Sequence, residues 1–340
     1  MRVRQFPTLL LPLLALLTAS PVALAQIFPA QISPAPFAPL ICRDCDLRGL
    51  DWRDQGLNLR NADFSGADLS STNLEGLDLG GADLRGATLH GTNLRNANLA
   101  GVNLAESDII AIQLTGADFT GADFTGAKLR SLNWQGAQLE GAIFTQSQLH
   151  NITLTEAAIA GSDWSEAQLT DVDLVNADLQ GSQWAGATFN TVKLRGANLA
   201  QSDLQGVDLM GLSLVGVDFT GSQLQRADLY RADLTRAILS GANLREANLT
   251  QAVLLEVEAE NANLWGAVLR SATLVQASFI GADLRAARLE RANVRFTDFS
   301  AANLEEARFD RAQFEQTRWC ESILPNGKPG DCLETEPPNY

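Results

Sequence analysis

The chain repeats one hydrophobic position every five residues. From Leu59 to Trp319 every fifth residue is apolar, and Ala259 is the only small one among them. An α-helix turns about 500° in five residues, so such a row would wander around its surface. On a straight strand an odd step would place successive leucines on opposite faces. These side chains can all point one way only if the chain turns a corner once per repeat.

The positions around each apolar centre fit such a coil. Two residues before the centre stands a small residue, mostly alanine, which faces inward because side chains two apart in extended chain share a face. The residue between them is polar, mostly Asp or Asn, and faces outward. Two residues after the centre comes the corner, where most of the 27 glycines lie, as a turn with positive φ requires. No proline stands between Pro39 and Pro325, which keeps every backbone N–H available for pairing.

Residues 20 apart share chemistry, which indicates four repeats per coil. The aromatic centres form two columns, Phe124, Phe144, Trp164 and Trp184, and Phe279, Phe299 and Trp319. At the inward position Ser162, Ser182, Ser202 and Ser222 line one side, and bulky residues from Ile112 to Leu212 line another. A 15-residue spacing gathers like residues less well. We therefore predict an all-β solenoid with four sides and about thirteen to fourteen coils, a rod on the order of 60 Å long at about 4.8 Å per coil.

The repeats resemble a known family. The run Ala62-Asp63-Phe64-Ser65-Gly66-Ala67-Asp68-Leu69 and its continuation from Gly81 to Arg85 resemble the pentapeptide repeat family, whose repeat reads A-(D/N)-L-x-x. The resemblance covers about residues 45–319. It implies a right-handed quadrilateral parallel β-helix with four pentapeptide repeats per coil, in agreement with the columns. It implies no single function, although some members of the family bind DNA gyrase by resembling duplex DNA in size and charge.

The first residues are typical of an export signal. Arg2 and Arg4 precede a short apolar run from Leu9 to Leu17, and Ala23-Leu24-Ala25 forms a small-x-small cleavage site. A membrane anchor is the alternative, but the apolar run is much shorter than the roughly 20 residues that a span needs. We expect residues 1–25 to be a signal peptide and the cleaved protein to have no stable membrane span.

The remaining chain divides into three segments. Residues 26–41 form a Pro-rich linker, residues 42–324 the repeat β-helix, and residues 325–340 a C-terminal turn and tail. One irregularity lies near the start, where seven residues rather than five separate Trp52 from Leu59. We expect a two-residue insertion there, around Arg53–Gly56.

Four cysteines bracket the coil, Cys42 and Cys45 at its start and Cys320 and Cys332 at its end. The pairs lie at opposite ends of the rod, so they cannot form one zinc site. An oxidising compartment favours two local disulfides, although the Cys42-x-x-Cys45 pair also fits a thiol-redox role. The ending from Trp319-Cys320 through Leu324-Pro325-Asn326-Gly327 to Cys332 is similar to that of secreted cyanobacterial pentapeptide repeat proteins, which implies the periplasm or the thylakoid lumen.

The chain is acidic, with a formal net charge of −15, and most of the acid excess lies before residue 226. This disfavours nucleic-acid binding, which needs clustered bases. Residues 20 apart lie on the same side of the predicted coil, and this places several acids in one row. The possible acidic binding face consists of Asp63, Asp83, Asp123, Asp163 and Asp203. Such a row could attract cations or a basic partner. The alternative is that these carboxylates cap corner backbone N–H groups, as Asp does in turns.

No catalytic constellation stands out. His90 and His150 lie three coils apart, roughly 14 Å, and no phosphate-binding loop, H-E-x-x-H or G-x-S-x-G motif occurs. We therefore expect no enzyme, cofactor or metal site, and predict an exported scaffold or protein-binding surface for an unknown protein partner. Pairing of rods end to end as a homodimer is a further expectation. The alternatives are mimicry of DNA toward a topoisomerase and a thiol-redox role.

Overall fold

The computed structural model describes residues 39–53 and 55–332. In these ranges the chain forms a parallel β-solenoid, as the repeat predicts. The expected signal peptide of residues 1–25, most of the Pro-rich linker and the last eight residues lie outside the described residues. No helix in the described part is long and apolar enough to cross a membrane.

Residues 20 apart pair in parallel and build four walls, which we name after their first residues in the second coil. The Asp63 wall is bridged without interruption to Ile323, and the Asp78 wall to Arg318. The Asp68 wall and the Asn73 wall lie between them along the chain. The four-sided coil is thereby confirmed.

Six short strands form one parallel sheet on this framework, in the order in which they follow along the chain. They are β1 (Thr88–His90), β2 (Asp108–Ile110), β3 (Lys128–Asn133), β4 (Gln148–Thr153), β5 (Gln168–Asp173) and β6 (Thr188–Asn190). All lie on the Asp68 wall. The strands β3, β4 and β5 continue through a corner onto the Asn73 wall, where the inward residue is Leu132, Ile152 or Val172 instead of alanine.

Every fifth residue from Gly56 to Glu321 adopts a left-handed conformation, with φ from 49° at Gln316 to 74° at Gly116. At most corners the N–H three residues after the first turn residue closes the turn, as in Ala67 N–H to Phe64 O at 3.0 Å. Positive φ at the third residue is the signature of a type II turn. The prediction of corners that need positive φ is confirmed, and it extends to Arg, Glu and Gln as well as Gly.

The core is the column of inward side chains. The predicted aromatic stack is confirmed, with ring centroids 5.0 Å apart for Phe124 and Phe144, 4.2 Å for Phe144 and Trp164, and 5.1 Å for Trp164 and Trp184. The rings of the first and last of these pairs lie within 4° of parallel. Successive coils therefore pack like layers, and each layer contacts only its neighbours.

The first coil pairs 22 residues ahead instead of 20, as in Ile41 with Asp63 and Asp51 with Asn73. This confirms the two-residue insertion expected between Trp52 and Leu59. At the other end the chain folds back, and Ile323 pairs antiparallel with Pro329. A side chain on Gly330 would collide with the carbonyl of Trp319, so only glycine fits this return.

The pairing is interrupted at two places, which the sequence did not predict. On the Asn73 wall no bridge joins Gln113 to Asn133 within the described chain. Farther along, none joins Thr188 to Asp208. The same interruption extends onto the Asn73 wall between residues 193 and 213.

Candidate binding face

The register places the five predicted aspartates on the Asp63 wall. Bridges connect Asp63 to Asp83 and continue in steps of 20 to Asp203. The row is not continuous, because three other residues alternate with the acids, namely Asn103, Ile143 and Gln183. The carboxylates are therefore spaced along the wall instead of forming an unbroken ladder.

One oxygen of each aspartate holds the adjoining corner. Oδ1 accepts the backbone N–H two residues later, at 3.1 Å from Ser65 to Asp63, 2.9 Å from Thr125 to Asp123 and 3.0 Å from Gln205 to Asp203. Asp83 and Asp163 accept in the same way. Asn103 does this equally well with its amide oxygen, 3.0 Å from the N–H of Ala105. The turn needs an oxygen and no charge, so the negative charge remains available for another role.

Ion pairs divide the row into two parts. Arg43 pairs with Asp63, and Arg85 pairs with Asp83 at 2.6 Å. The hydrogen bond from the Arg85 guanidinium lowers the pKa of Asp83, and the Arg85 N–H adds to this against the effect of burial. Burial alone would raise the pKa of Asp63, but hydrogen bonds from Ser65 and Arg43 lower it overall.

The other three acids, Asp123, Asp163 and Asp203, have no cationic group within 4.0 Å in the part of the chain that the structure describes. Farther along the rod the surface changes, because arginines at the corners pair with glutamates one coil ahead. Examples are Arg226 with Glu246 at 2.8 Å and Arg236 with Glu256 at 2.7 Å. On the Asp63 wall itself, the one acid beyond Asp203 among the described residues, Asp283, is paired with Arg285 at 2.7 Å, so the unneutralised part of the wall ends at Asp203.

Both cysteine pairs are disulfide-bonded, Cys42 with Cys45 and Cys320 with Cys332. The first bond lies inside the first coil, where Cys42 is 1% and Cys45 4% exposed. The pairing of Cys42 with Asp63 on the next coil places it in line with the centre Phe64. A buried bond at this position is poorly placed for exchange with an external thiol.

The two histidines lie on the Asp68 wall, three coils apart, as expected. His90 is 3.4 Å from Asp108, which also accepts a hydrogen bond from Arg130, and His150 is 3.9 Å from Asp171. No group of three His, Cys, Asp or Glu side chains with metal-binding geometry occurs among residues 39–53 and 55–332.

A buried polar contact was missed in the sequence. The indole Nε1–H of Trp164 donates to Ser162 Oγ, and that of Trp184 donates to Ser182 Oγ, each at 2.7 Å. Both serines are completely buried. The signal was present, because each Trp centre stands two residues after a member of the serine column. In contrast, Nε1 of Trp134 and of Trp319 is buried without a hydrogen-bond partner.

Solved structures with similarity to the chain include pentapeptide repeat proteins and a resistance protein. HetL, a pentapeptide repeat protein involved in heterocyst differentiation regulation in Nostoc sp. strain PCC 7120, is 22% identical, with a TM-score of 0.31, 92% of this chain covered and 100% of HetL. QnrB1, a plasmid-mediated fluoroquinolone resistance protein, is 17% identical in a trypsin-treated form, with a TM-score of 0.25, 55% of this chain covered and 88% of QnrB1.

A pentapeptide repeat protein of the Arabidopsis thaliana thylakoid lumen is 24% identical, with a TM-score of 0.17, 48% of this chain covered and 70% of the plant protein. These likenesses are too distant to transfer a function. No curated protein matches the chain significantly.

The pentapeptide repeats family matches nearly all of the solenoid. The matched residues are 55–86, 82–121, 107–146, 122–157, 147–182, 173–211, 213–251, 252–291 and 282–318. This chain belongs to the pentapeptide repeat family.

Proposed function

We propose that the protein is an exported, non-enzymatic rod that presents its Asp63 wall to a basic region of a partner protein. One observation carries this. Asp123, Asp163 and Asp203 hold their corners with one oxygen, and no cation of the described chain neutralises them. They recur every second coil, about 10 Å apart, at the usual separation of parallel strands. A stiff row of this kind suits a partner with regularly spaced Lys or Arg side chains.

Export is supported by two features. Residues 1–25 have the composition of a signal peptide, and both cysteine pairs are disulfide-bonded, which is typical of proteins in oxidising compartments. The C-terminal resemblance to secreted cyanobacterial proteins favours the periplasm or the thylakoid lumen.

The export part is tested by fusing residues 1–30 to alkaline phosphatase, which is active only after its disulfides form outside the cytoplasm. We expect activity from this fusion and none from the same fusion with Leu14→Arg and Leu16→Arg in the apolar run. Equal activity of the two fusions, or no activity from either, would contradict export.

The binding part is tested with a photo-crosslinking amino acid introduced singly at Asp123, Asp163 or Thr273 of the full chain. Thr273 is the control, because it lies outward on the opposite Asn73 wall. We expect one protein to be crosslinked from positions 123 and 163 in the native compartment, and not from position 273. Crosslinks that do not differ between the walls would overturn the proposed face.

DNA mimicry toward a topoisomerase is the second candidate, and the acid excess before residue 226 favours it. It predicts that residues 1–25 stay attached to a cytoplasmic protein that protects gyrase in a supercoiling assay. Absence of protection at a tenfold molar excess of the rod over gyrase would exclude it.

A further inference from the structure

The last coils carry a cluster of arginines, although the chain as a whole has a net charge of −15. The cluster lies on the corner between the Asp68 wall and the Asn73 wall, and on the adjoining part of the Asp68 wall, where Arg288 is bridged to Arg308. A surface cavity of about 450 Å³ opens at this corner, and it is lined by Arg270, Ser271, Glu290, Arg291, Asp310 and Arg311. We call this cavity the arginine pocket.

Two guanidinium groups of the arginine pocket have no partner. Arg291 and Arg311 stand on the same corner of successive coils, and Arg291 N–H donates to Asp310 O at 2.9 Å. Three coils earlier on this corner, Arg231 donates to Gln251 one coil ahead at 2.7 Å. The residue one coil ahead of Arg291 is Arg311, which offers no acceptor. Within residues 39–53 and 55–332 neither guanidinium forms an ion pair or a hydrogen bond. Two like charges one strand spacing apart, about 4.8 Å between backbones, attract an anion.

The two acids of the arginine pocket differ in their surroundings. Glu290 is paired twice, with Arg270 at 3.2 Å and with Arg288 at 3.3 Å, and its side chain is only 17% exposed. Asp310 has no cationic group within 4.0 Å among the described coils. The Ser271 hydroxyl lines the pocket and forms no hydrogen bond in this part of the chain. The pocket therefore combines free donors with one free carboxylate acceptor.

This combination of groups discriminates between anions. The planar guanidinium forms paired hydrogen bonds with the oxygens of a phosphate or a sulfate. An ionised carboxylate only accepts hydrogen bonds, so Asp310 repels an anion that has no proton. Sulfate has no proton at neutral pH, whereas inorganic phosphate keeps at least one and can donate it in a hydrogen bond. The arginine pocket therefore fits a protonated phosphate better than it fits sulfate.

We propose that the arginine pocket binds a protonated phosphate group. The guanidinium groups of Arg291 and Arg311 donate to its unprotonated oxygens, and the Ser271 hydroxyl donates a further hydrogen bond. The phosphate hydroxyl donates to Asp310. Glu290 stays paired with its two arginines, so its charge opposes the ligand less. Free phosphate and a phosphate monoester share this chemistry, and the cavity is open to both because it lies on the surface of the rod.

The binding test titrates inorganic phosphate, glycerol 3-phosphate and sulfate calorimetrically into the full chain at pH 6.0 and constant ionic strength. About half of a phosphate monoester keeps its proton at this pH, because its second pKa is about 6. We expect inorganic phosphate to bind at least tenfold more tightly than sulfate. Binding of glycerol 3-phosphate in addition would support an esterified phosphate as the ligand, and its absence would support the free ion. No binding of inorganic phosphate up to 10 mM, or equal affinities for phosphate and sulfate, would overturn the proposal.

Two matched variants locate the site, Arg291→Gln in the arginine pocket and Arg231→Gln three coils earlier on the same corner. Gln251 occupies this corner with φ of 62°, close to the 61° of Arg291, so glutamine is tolerated there. Arg291→Gln should weaken the binding of inorganic phosphate at least tenfold, because one of the two free guanidinium groups is lost. Arg231→Gln should leave it unchanged, because that guanidinium lies outside the pocket. Equal phosphate affinities of the two variants would contradict the site.

Asp310→Asn tests the discrimination between the two anions. We expect this variant to bind sulfate more tightly than the parent chain does, because the amide removes the repulsion. The ratio of phosphate affinity to sulfate affinity should therefore fall at least fivefold, and an unchanged ratio would show that Asp310 does not face the ligand. Failure of these tests leaves the crosslinks from the Asp63 wall untouched, so the two proposals fail separately.

Discussion

At the scale of single residues, the polar groups inside the tube matter because the core leaves no access for water. The serine column gives the indoles of Trp164 and Trp184 their acceptors, and Ser182 also bonds to Ser202 Oγ at 3.1 Å. The last serine of the column, Ser222, is equally buried, but its hydroxyl has no partner. Ser222 is therefore a control within the same column, because its hydroxyl is buried but makes no hydrogen bond.

We expect Ser182→Ala to reduce the free energy of unfolding by about 1–3 kcal/mol, because it leaves the Trp184 N–H buried and unsatisfied. Ser222→Ala should change it by less than about 0.5 kcal/mol, because no hydrogen bond of the side chain is lost. Chemical denaturation followed by tryptophan fluorescence measures both. Similar losses in the two variants would show that the hydroxyls act only by filling space.

A second residue-scale prediction concerns pH. The pKa of Asp83 is lowered below its usual value of 3.8, chiefly by the hydrogen bond from Arg85. A folded-state pKa below the unfolded one stabilises the protein above the unfolded value, and this contribution is lost as pH falls through the folded value. The melting temperature should therefore fall between about pH 4 and pH 2, and less steeply in Asp83→Asn.

The Arg85→Gln variant should show the same flatter profile between about pH 4 and pH 2. The double variant should show no additional change, because either substitution alone removes the ion pair. Additive effects in calorimetric melting curves would mean that Arg85 is not the cause.

At the scale of elements, the corner is the unit that the repeat specifies. Glycine is favoured there for its φ, yet many corners carry Arg, Glu or Gln at φ near those of the glycines. The larger corner side chains gain contacts along the rod in return, as Arg226 does with Glu246 and Arg236 with Glu256. The chain therefore accepts local strain at these corners where a salt bridge can form between coils.

Alanine at a corner has the strain without such a contact, as at Ala286 with φ of 55°. We expect Ala286→Gly to stabilise the protein by up to about 1 kcal/mol. Ala287→Gly, one residue later, should destabilise it by about 1–2 kcal/mol, because Ala287 is completely buried. Chemical denaturation measures the free energy of unfolding of both variants. A change of the same sign in both would contradict the placement of the corner at Ala286.

The elements also show what could and could not be read from the sequence. The period of five, the 20-residue columns and the insertion after Trp52 depend on the order of residue types alone, and all three were predicted. The interrupted pairing between Gln113 and Asn133 follows from no residue pattern, because the backbone separation of two coils depends on how their side chains pack together. The Trp–Ser bonds depend on a side-chain orientation that the pattern does not specify.

At the scale of the whole molecule, each coil is supported only by the coils beside it, so the ends are the weak points of the rod. Disulfides occur in the first coil and at the last return, where one side of the stack is missing. The binding role of the acidic face stays a prediction, because it depends on a partner protein that is not part of this chain.

We expect the Cys320→Ser and Cys332→Ser double variant to fray from its C-terminal end. Amides in the last coil, such as Leu304 N–H bonded to Ile323 O at 2.8 Å, should exchange faster by tenfold or more. Amides in the middle, such as Leu224 bonded to Asn243, should keep their rates. Hydrogen exchange with mass spectrometry resolves the two regions, and uniform acceleration would indicate cooperative unfolding instead.

The second interruption of pairing gives the rod a mechanical property. Between Thr188 and Asp208, and between Lys193 and Ser213, two adjacent walls are unpaired, while the Asp63 wall and the Asp78 wall continue through Asp203 and Asn198. Two paired walls still join the coils at this step, and Gly196 N–H also donates to Val215 O at 3.0 Å. We therefore expect any bending of the rod at this step to widen or narrow the space between the two unpaired walls.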